Sequence, residues 1–312
     1  MMLVALALDR LIGWPDWLYA RIGHPVTWAG RLIVSLDARL NQSALPQKPM
    51  GVLALILCIG AALLPSAVAQ ALLSGNVLSI LVGGCLAWPL VAMRSLQEHV
   101  AAVTMPLVAG ELPAARHAVS MIVGRNPDAL DEAGVARAAL ESLAENSSDG
   151  IVAPVFWGAM AGLPGIAVYK MINTLDSMIG HRSPRYLQFG WASARLDDLV
   201  NLIPARVTGA LFALACGRPL HAGRVMRRDA TRHRSPNAGW PESAMAGALG
   251  VRLSGPRIYD GHVASEPWLN GGAPDPSAAS VTRGLGLYRR AMLMLAAGLM
   301  LWSLLPLFTG AS

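Results

Sequence analysis

Four aspartates stand where polar segments meet apolar runs: Asp149, Asp176 and the adjacent pair Asp197-Asp198. Asn146, Asn173 and Asn201 lie within a helical turn of them. Carboxylates accompanied by amides are hard oxygen donors of the kind Mg²⁺ prefers, since Mg²⁺ takes one or two carboxylates and keeps water or substrate phosphate. The four aspartates are therefore the candidate metal ligands. Arg182, Arg185, Arg206 and Arg228 surround these positions, and arginine offers flat, paired donors to phosphate and carboxylate groups. Lys170 and His181 complete the set, a cation and a titratable ring on the same stretch as Asn173 and Asp176. Together these residues suggest phosphate chemistry at a membrane surface. The phosphate cradle GxxxxGK[ST], the nucleophile elbow GxSxG and the zinc motif HExxH do not occur.

The elements that must carry these groups are helices broken by Pro and Gly. The central stretch, Glu145–Tyr186, sets ENSSDG against an apolar run from Ile151 to Val168, which turns polar again at Lys170, Asn173, Asp176 and His181. Gly162-Leu163-Pro164-Gly165 interrupts that run, because Pro removes a backbone donor and clashes with the preceding turn. Two half-helices are expected, with Lys170, Asn173, Thr174, Ser177 and His181 on one face of the second. Half-helix ends are where membrane proteins place polar ligands. In Arg195–Arg206, Arg195, Asp198 and Arg206 share one helical face, and Asp197 and Asn201 an adjacent one. Simple Arg–Asp pairing is the competing explanation for these charges.

Earlier in the chain, His24-Pro25 opens a helix expected to run to Leu40, with His24 at the capping position. Two apolar helices follow, Met50–Leu73 and Asn76–Met93, joined at Ser74-Gly75-Asn76 and expected to pair as a hairpin. Residues 94–148 read as a soluble helical stretch, including one helix opened by Asn126-Pro127-Asp128 whose acidic residues form a solvated face. In the basic stretch 217–286, Pro241-Glu242 suits a helix start and Gly250 its end. Ser243/Gly247 and Ala244/Ala248 give that helix a small-residue face, suited to close helix packing or to a large flat ligand. Residues 251–272 are turn-rich enough for a short hairpin, and Leu287–Phe308 is a third span.

Of the 312 residues, 54% are hydrophobic and 14% charged. Soluble domains carry about 25% charged residues, so the chain belongs in a bilayer. The expected fold is all-α: one membrane-embedded catalytic domain over 1–312, polytopic, with broken or re-entrant helices and long polar loops. Residues 151–173 are a re-entrant candidate and 199–216 a partial span. The N-terminal run Met1–Leu8 is too short to cross and reads as retained. The net charge of +6 sits beside apolar spans and accompanies no nucleic-acid motif, so no nucleic acid is expected as a partner. Cys58, Cys85 and Cys216 lie in apolar runs without metal spacing and read as buried small hydrophobes.

Five ordered motifs carry a resemblance: LDxxxGxP…HPV from Leu8 to Val26, ENSSDGIVAPVFW, NTLDSMIGHRSPRY, RLDDLVNLIPAR and RDATRHRSPNAGWPESAMAGALG. In this order they resemble the adenosylcobinamide-phosphate synthase family of cobalamin biosynthesis, over most of the chain. The resemblance implies an ATP- and Mg²⁺-dependent amide ligase that joins adenosylcobyric acid to aminopropanol or its phosphate. It implies catalytic roles among Lys170, Asn146, Asp149, Asn173, Asp176, His181 and Asp198. Substrate contacts fall among Arg182, Arg185, Asn201, Arg206, Arg228, His233, Asn237, Trp240 and Glu242, with Asp149, Asp176, Asp197 and Asp198 toward the metal. It further implies a bacterial inner-membrane protein; positive flanks favour the cytoplasm, so the basic stretch 217–286 and, by inference, the polar clusters are expected on that side. A homo-oligomer, or contact with other corrinoid enzymes, is compatible with the resemblance. Two other classes fit the polar groups in apolar helices, a secondary transporter and a CDP-alcohol phosphotransferase. The first lacks an internal repeat here, and the second lacks its DGxxAR pattern, since Ile-Val-Ala-Pro follows Asp149-Gly150.

Overall fold

The structure is a computed structural model that describes residues 1–42, 44–73, 75–123, 128–259 and 262–309. The expected turn at Ser74 and helix start at Asn126-Pro127 lie outside the described residues. The protein is all-α apart from two small antiparallel strand pairs, and the chain divides into two compact units, each assembled from two separate segments. Among the described residues Gln47–Ala71, Val77–Val108, Glu132–Ile179 and Ala278–Leu304 are long and apolar enough to cross a membrane. The protein is a multi-pass membrane protein.

The first unit comprises Met1–Ala92 and Ala153–Asn201. It contains α1 (Met2–Leu11), α2 (Asp16–Ile22), α3 (Pro25–Leu40), α4 (Gln47–Ala71), α5 (Val77–Ala87), α9 (Ala153–Ile179) and α10 (Trp191–Val200). Helix α3 begins and ends where the sequence places it. His24 caps it: Val26 N–H donates to Nδ1 at 3.2 Å, and the Thr27 hydroxyl lies 3.2 Å from the His24 N–H that it accepts. The expected α4–α5 hairpin is replaced by separate partnerships. Helix α4 lies along α9, α3 and α10, whereas α5 lies along α1 and α9. Gly84 is the local reason, since a Cβ there would stand 2.5 Å from Val4 of α1. Cys85 is exposed rather than buried, because apolar side chains of a span can face lipid as readily as core. Ile33, Leu55, Cys58, Met171, Leu175, Ile179 and Phe189 form the core where α3, α4 and α9 meet.

Helix α9 breaks where Gly and Pro punctuate the sequence. Ala161 and Gly162 leave helical geometry, Gly162 at φ 67°, ψ −149°. The break frees backbone donors that hydrocarbon cannot satisfy. Gln70, near the end of α4, resolves this: its Oε1 accepts the Leu163 N–H at 2.7 Å and so caps the second half-helix. Helix α9 ends at Ile179, so His181 lies beyond the helix instead of on its face.

The second unit comprises Met93–Val152 and Leu202–Ser312. It contains α6 (Met93–Val108), α7 (Leu112–Ser120), α8 (Glu132–Ser147), a π-helical turn (Ser148–Val152), α11 (Leu202–Ala215), α12 (Pro219–Asp229), α13 (Gly239–Leu249) and α14 (Ala278–Thr309). The strand pairs are β1 (Leu253–Ser254) with β4 (Trp268–Leu269) and β2 (Arg257–Tyr259) with β3 (His262–Ala264), as the turn-rich sequence suggested. The expected acidic face at the start of α8 is solvated, since Asp128, Asp131 and Glu132 are all exposed, while the opposite side of the helix is core. Val135, Ala136, Ala139, Leu140, Leu143 and Ala144 are fully buried against α6, α7, α13 and α14. Its acidic residues have structural duties: the Asp131 carboxylate accepts Gly134 N–H at 2.7 Å, and buried Glu141 accepts Ser254 N–H at 2.7 Å. Trp268 lies between Arg252 and Arg137, at 4.2 and 4.7 Å from the ring centroid, and both arginines also bind Asp275. Hydrogen bonds from Arg252 and the charge of Arg137 hold the Asp275 carboxyl below its ordinary range, against the effect of partial burial.

The break in α9 yields a stability test. A Cβ at Gly162 would stand 1.9 Å from Gln70 Oε1, on a backbone with positive φ. Gly162→Ala is expected to cost about 1–3 kcal/mol through strain. Gln70→Ala is expected to cost about 1 kcal/mol, as other lost caps do. Thermal unfolding in detergent measures both, and unchanged melting of both variants would contradict the capping role.

Candidate functional site

In the first unit the end of α9 lies along α10, and this packing gathers the motifs NTLDSMIGHRSPRY and RLDDLVN. Asp197 is the centre of the group. Asn201, four residues on, donates Nδ2–H to its Oδ2 at 3.0 Å, and Asn173 and Asp176 approach the same carboxylate from α9. Asp197 Oδ1 is buried without a hydrogen-bond partner. Tyr169 donates its hydroxyl to Asn201 Oδ1 at 2.9 Å, which fixes the amide so that its NH₂ points at Asp197. Asp198 interacts with Asp176 across the helices and with Arg195 and Arg182. His181 interacts with Asp176. Asn173, Asp176, His181, Arg182, Asp197, Asp198 and Asn201 thus come together as the sequence suggested. The i, i+4 pairing of Asp197 with Asn201 holds. The shared face proposed for Arg195, Asp198 and Arg206 does not extend across Asn201, because α10 ends at Val200 and α11 begins at Leu202.

Lys170 is one turn before Asn173, with Nζ 3.5 Å from Asn173 Oδ1, and it lines a separate apolar cavity together with Thr174. Arg185 does not face the carboxylates. Its Nη2 donates to Asp37 Oδ2 of α3 at 2.5 Å, where Tyr186 OH also donates at 3.3 Å. Asn41 donates to Asp37 Oδ1 at 2.8 Å and to the Arg185 carbonyl at 3.4 Å. Arg185 is therefore a strap that holds the segment after α9, and with it His181 and Arg182. Asp37, Asn41 and Tyr169 are site-supporting residues that the sequence reading missed. Asp37 is an isolated carboxylate in an otherwise ordinary amphipathic helix, and its partners lie 148 and 149 residues away.

The remaining candidates belong to the second unit. Asn146 and Asp149 stand on the end of α8 and the π-helical turn, a local widening that is frequent at functional sites. Asn146 donates to the Ser142 carbonyl at 2.9 Å, and buried Ser148 Oγ has no hydrogen-bond partner. Elsewhere in this unit, the Arg206 guanidinium lies 4.3 Å from the Trp240 ring centroid, and His233 Nε2 lies 3.8 Å from Glu242 Oε1. Ser235 N–H donates to His233 Nδ1 at 3.1 Å, so the other ring nitrogen carries the proton that faces Glu242. Asn237 and Glu242 are buried. Arg228 grips Asp229 with two hydrogen bonds, at 2.9 and 2.7 Å, while Asn270 N–H donates to the same carboxylate at 2.8 Å. Burial raises the Asp229 carboxyl, but the bonds from Arg228 and Asn270 outweigh it and hold the group below its ordinary range. The small-residue face of α13 is closed by packing. A Cβ on Gly247 would stand 2.9 Å from Val225 of α12, so close helix contact, not ligand approach, explains it.

A protein-family model described as CobD/Cbib protein matches residues 2–288. The chain belongs to the CobD/CbiB family. A cobalamin biosynthesis protein CobD of Rhodobacter capsulatus is 63% identical over 307 residues, covering 97% of this chain and 98% of that protein. Proteins of the same name from a Sinorhizobium species and from Brucella suis are 47% identical over 306 residues and 45% identical over 322 residues. They cover 94% and 98% of this chain, and 94% and 97% of their own lengths. No solved structure matches the chain.

Among the described residues no three His, Cys, Asp or Glu side chains are grouped to hold a metal ion unaided. The arrangement at α9 and α10 still fits Mg²⁺ bound chiefly through a substrate phosphate. It offers an unsatisfied carboxylate oxygen on Asp197, with Asp198 and Asp176 adjacent.

The Asp37 strap gives a test specific to this CobD/CbiB chain. Asp37→Ala and Arg185→Ala are each expected to speed amide hydrogen exchange in residues 181–190. The double variant should exchange no faster than either single one, because both remove the same coupling. Exchange that rises additively, or not at all, would show that the strap does not hold this segment.

Proposed function

We propose that this CobD/CbiB member acts in cobalamin biosynthesis as an adenosylcobinamide-phosphate synthase. The reaction is an ATP- and Mg²⁺-dependent condensation of adenosylcobyric acid with aminopropanol or aminopropanol phosphate. The observation that carries the reading is the carboxylate–amide–arginine group at the ends of α9 and α10. It is the grouping expected of a site that handles phosphate through a divalent cation, on a chain most of whose length matches the family.

Amide formation at neutral pH needs an activated carboxyl carbon and an unprotonated amine. A carboxylate oxygen of the corrinoid attacks the γ-phosphorus of ATP and releases ADP. The amine nitrogen then attacks the acyl carbon, inorganic phosphate leaves, and the amine gives up a proton. Mg²⁺, when bound, neutralises charge on the transferring phosphoryl group. Asp197 and Asp198 would hold that ion, oriented by Asn201 and Asn173. Arg182, next to Asp198, is placed to hold phosphate oxygens through paired N–H donors. His181, beside Asp176, is suited to receive the amine proton, and the carboxylate would stabilise the resulting imidazolium. The site is proposed to face the cytoplasm of a bacterial inner membrane, where ATP is supplied.

Purified protein in detergent is expected to convert adenosylcobyric acid, aminopropanol phosphate and Mg-ATP to the amide, with one ADP per product. Asp198→Asn should raise the Mg²⁺ concentration for half-maximal rate by about 10–100-fold. Release of AMP would replace the acyl phosphate with an acyl adenylate. Absence of ATP-dependent amide formation in a preparation that binds the corrinoid would reject the ligase and favour transport.

A further inference from the structure

Within the first unit, α3, α4, α5 and α9 line a half-open cavity of about 450 Å³ that the proposed chemistry does not use. Its walls include Val26, Trp28, Leu32, Ala62, Leu86 and Leu163, and its charged lining residue is Lys170, with Thr174 beside it. The cavity is elongated and its two ends differ. On α4 the lining runs from Ala61 to Ala69, and on α9 from Leu163 to Thr174. At 1.5 Å per residue those stretches cover about 12–17 Å. Gln70 binds Leu163 N–H, so the Ala69 end of α4 lies at the break in α9. The opposite end therefore carries Lys170 and Thr174. His24 and the first turn of α3 stand at that end too, since the Lys170 charge acts on His24.

The polar end is also the end nearer the membrane surface. Beyond Lys170, α9 becomes polar at Asn173 and Asp176 and stops at Ile179. Trp28, on the first turns of α3, is half exposed and donates its indole N–H to the Ile22 carbonyl at 2.9 Å, the amphipathic placement of an interfacial anchor. Toward the break, the outer face of α4 exposes Leu63, Leu64 and Val68, which are side chains for hydrocarbon. An apolar slot at acyl-chain depth, ending in an ammonium group at headgroup level, complements one kind of molecule in a bilayer. Basic pockets between membrane helices recognise anionic lipid headgroups in this way.

We infer that this cavity is a binding site for an anionic phospholipid, one acyl chain lying along α4 and α9 and the phosphate meeting Lys170 and Thr174. The lipid fills the space between α4 and Leu86 of α5, and it lies against the second half-helix that carries Asn173 and Asp176. The site is independent of the ligase reading, and its test does not measure turnover.

Native mass spectrometry of the full chain, titrated with phosphatidylglycerol or phosphatidylcholine of equal chain length, tests it. One phosphatidylglycerol is expected to be retained with at least about tenfold preference, equivalent to about 1.4 kcal/mol. Lys170→Met should bring the preference to near unity while a lipid is still retained. Ala62→Trp, which fills the slot, should abolish retention of that one lipid while the protein stays monodisperse with wild-type circular dichroism. Competition by inorganic phosphate alone, without displacement by a lipid of the same headgroup, would mean a free-anion site and overturn the proposal. Equal retention of both lipids by the wild type, preferential retention of a free fatty acid, or retention unaffected by Ala62→Trp would also overturn it.

Discussion

The break in α9 is the constraint on which the first unit depends. An uninterrupted helix from Ala153 to Ile179 would bond the Leu163 N–H within itself and leave Gln70 without its backbone partner. Gly162 supplies a positive φ that other residues adopt only under strain, and Gln70 satisfies the Leu163 N–H that the break exposes. The second half-helix is thereby an independent element with its own orientation. Its core face, Met171, Leu175 and Ile179, packs on Ile33, Leu55 and Cys58. Its other positions are left for chemistry: Asn173 and Asp176 toward α10, and Lys170 and Thr174 toward the cavity.

Polar groups in such a setting persist because neighbours share their cost. An ionised side chain deep in a span costs roughly 2.5–3.5 kcal/mol on insertion scales. The carboxylates at α9 and α10 sit near helix ends and are met by Asn201, Asn173, Arg182 and Arg195. The pairing is incomplete, since one oxygen of Asp197 has no hydrogen-bond partner. An incompletely compensated carboxylate group is poor architecture and suits the proposed ligand chemistry, in which a cation arriving with a phosphate would complete it. The Asp37–Arg185 strap differs in kind. There, both oxygens of Asp37 accept hydrogen bonds, Oδ2 from Arg185 and Tyr186 and Oδ1 from Asn41, and the result is the fixed position of the segment bearing His181 and Arg182.

What could be read from the sequence was what local chemistry decides. The Pro25–Leu40 helix, the break at Gly162–Gly165, the left-handed Gly250 cap and the short strand pairs all follow from Pro, Gly and capping residues acting within a few positions. The i, i+4 pair Asp197–Asn201 was legible for the same reason. The failures are long-range. Nothing near Asp37 announces Arg185, and nothing near Gln70 announces Leu163, since each pair is joined only by tertiary packing. The exposed acidic start of α8 was legible, whereas buried Glu141 and its partner Ser254, 113 residues on, were not. The expected α4–α5 pairing ignored that Gly84 lets α1 approach α5 instead. The α13 face was correctly small but is filled by α12.

The central claim is that the carboxylates of α9 and α10 bind a divalent cation together with a phosphate, which electron paramagnetic resonance with Mn²⁺ in place of Mg²⁺ can address directly. The detergent-purified protein should bind Mn²⁺ weakly alone and at least about tenfold more tightly with a non-hydrolysable ATP analogue, with ³¹P hyperfine coupling in the bound signal. Asp197→Asn should remove most of that tightening without altering the circular dichroism of the protein. A phosphorus-coupled Mn²⁺ signal of unchanged affinity in Asp197→Asn and in Asp198→Asn would place the metal elsewhere and contradict the account.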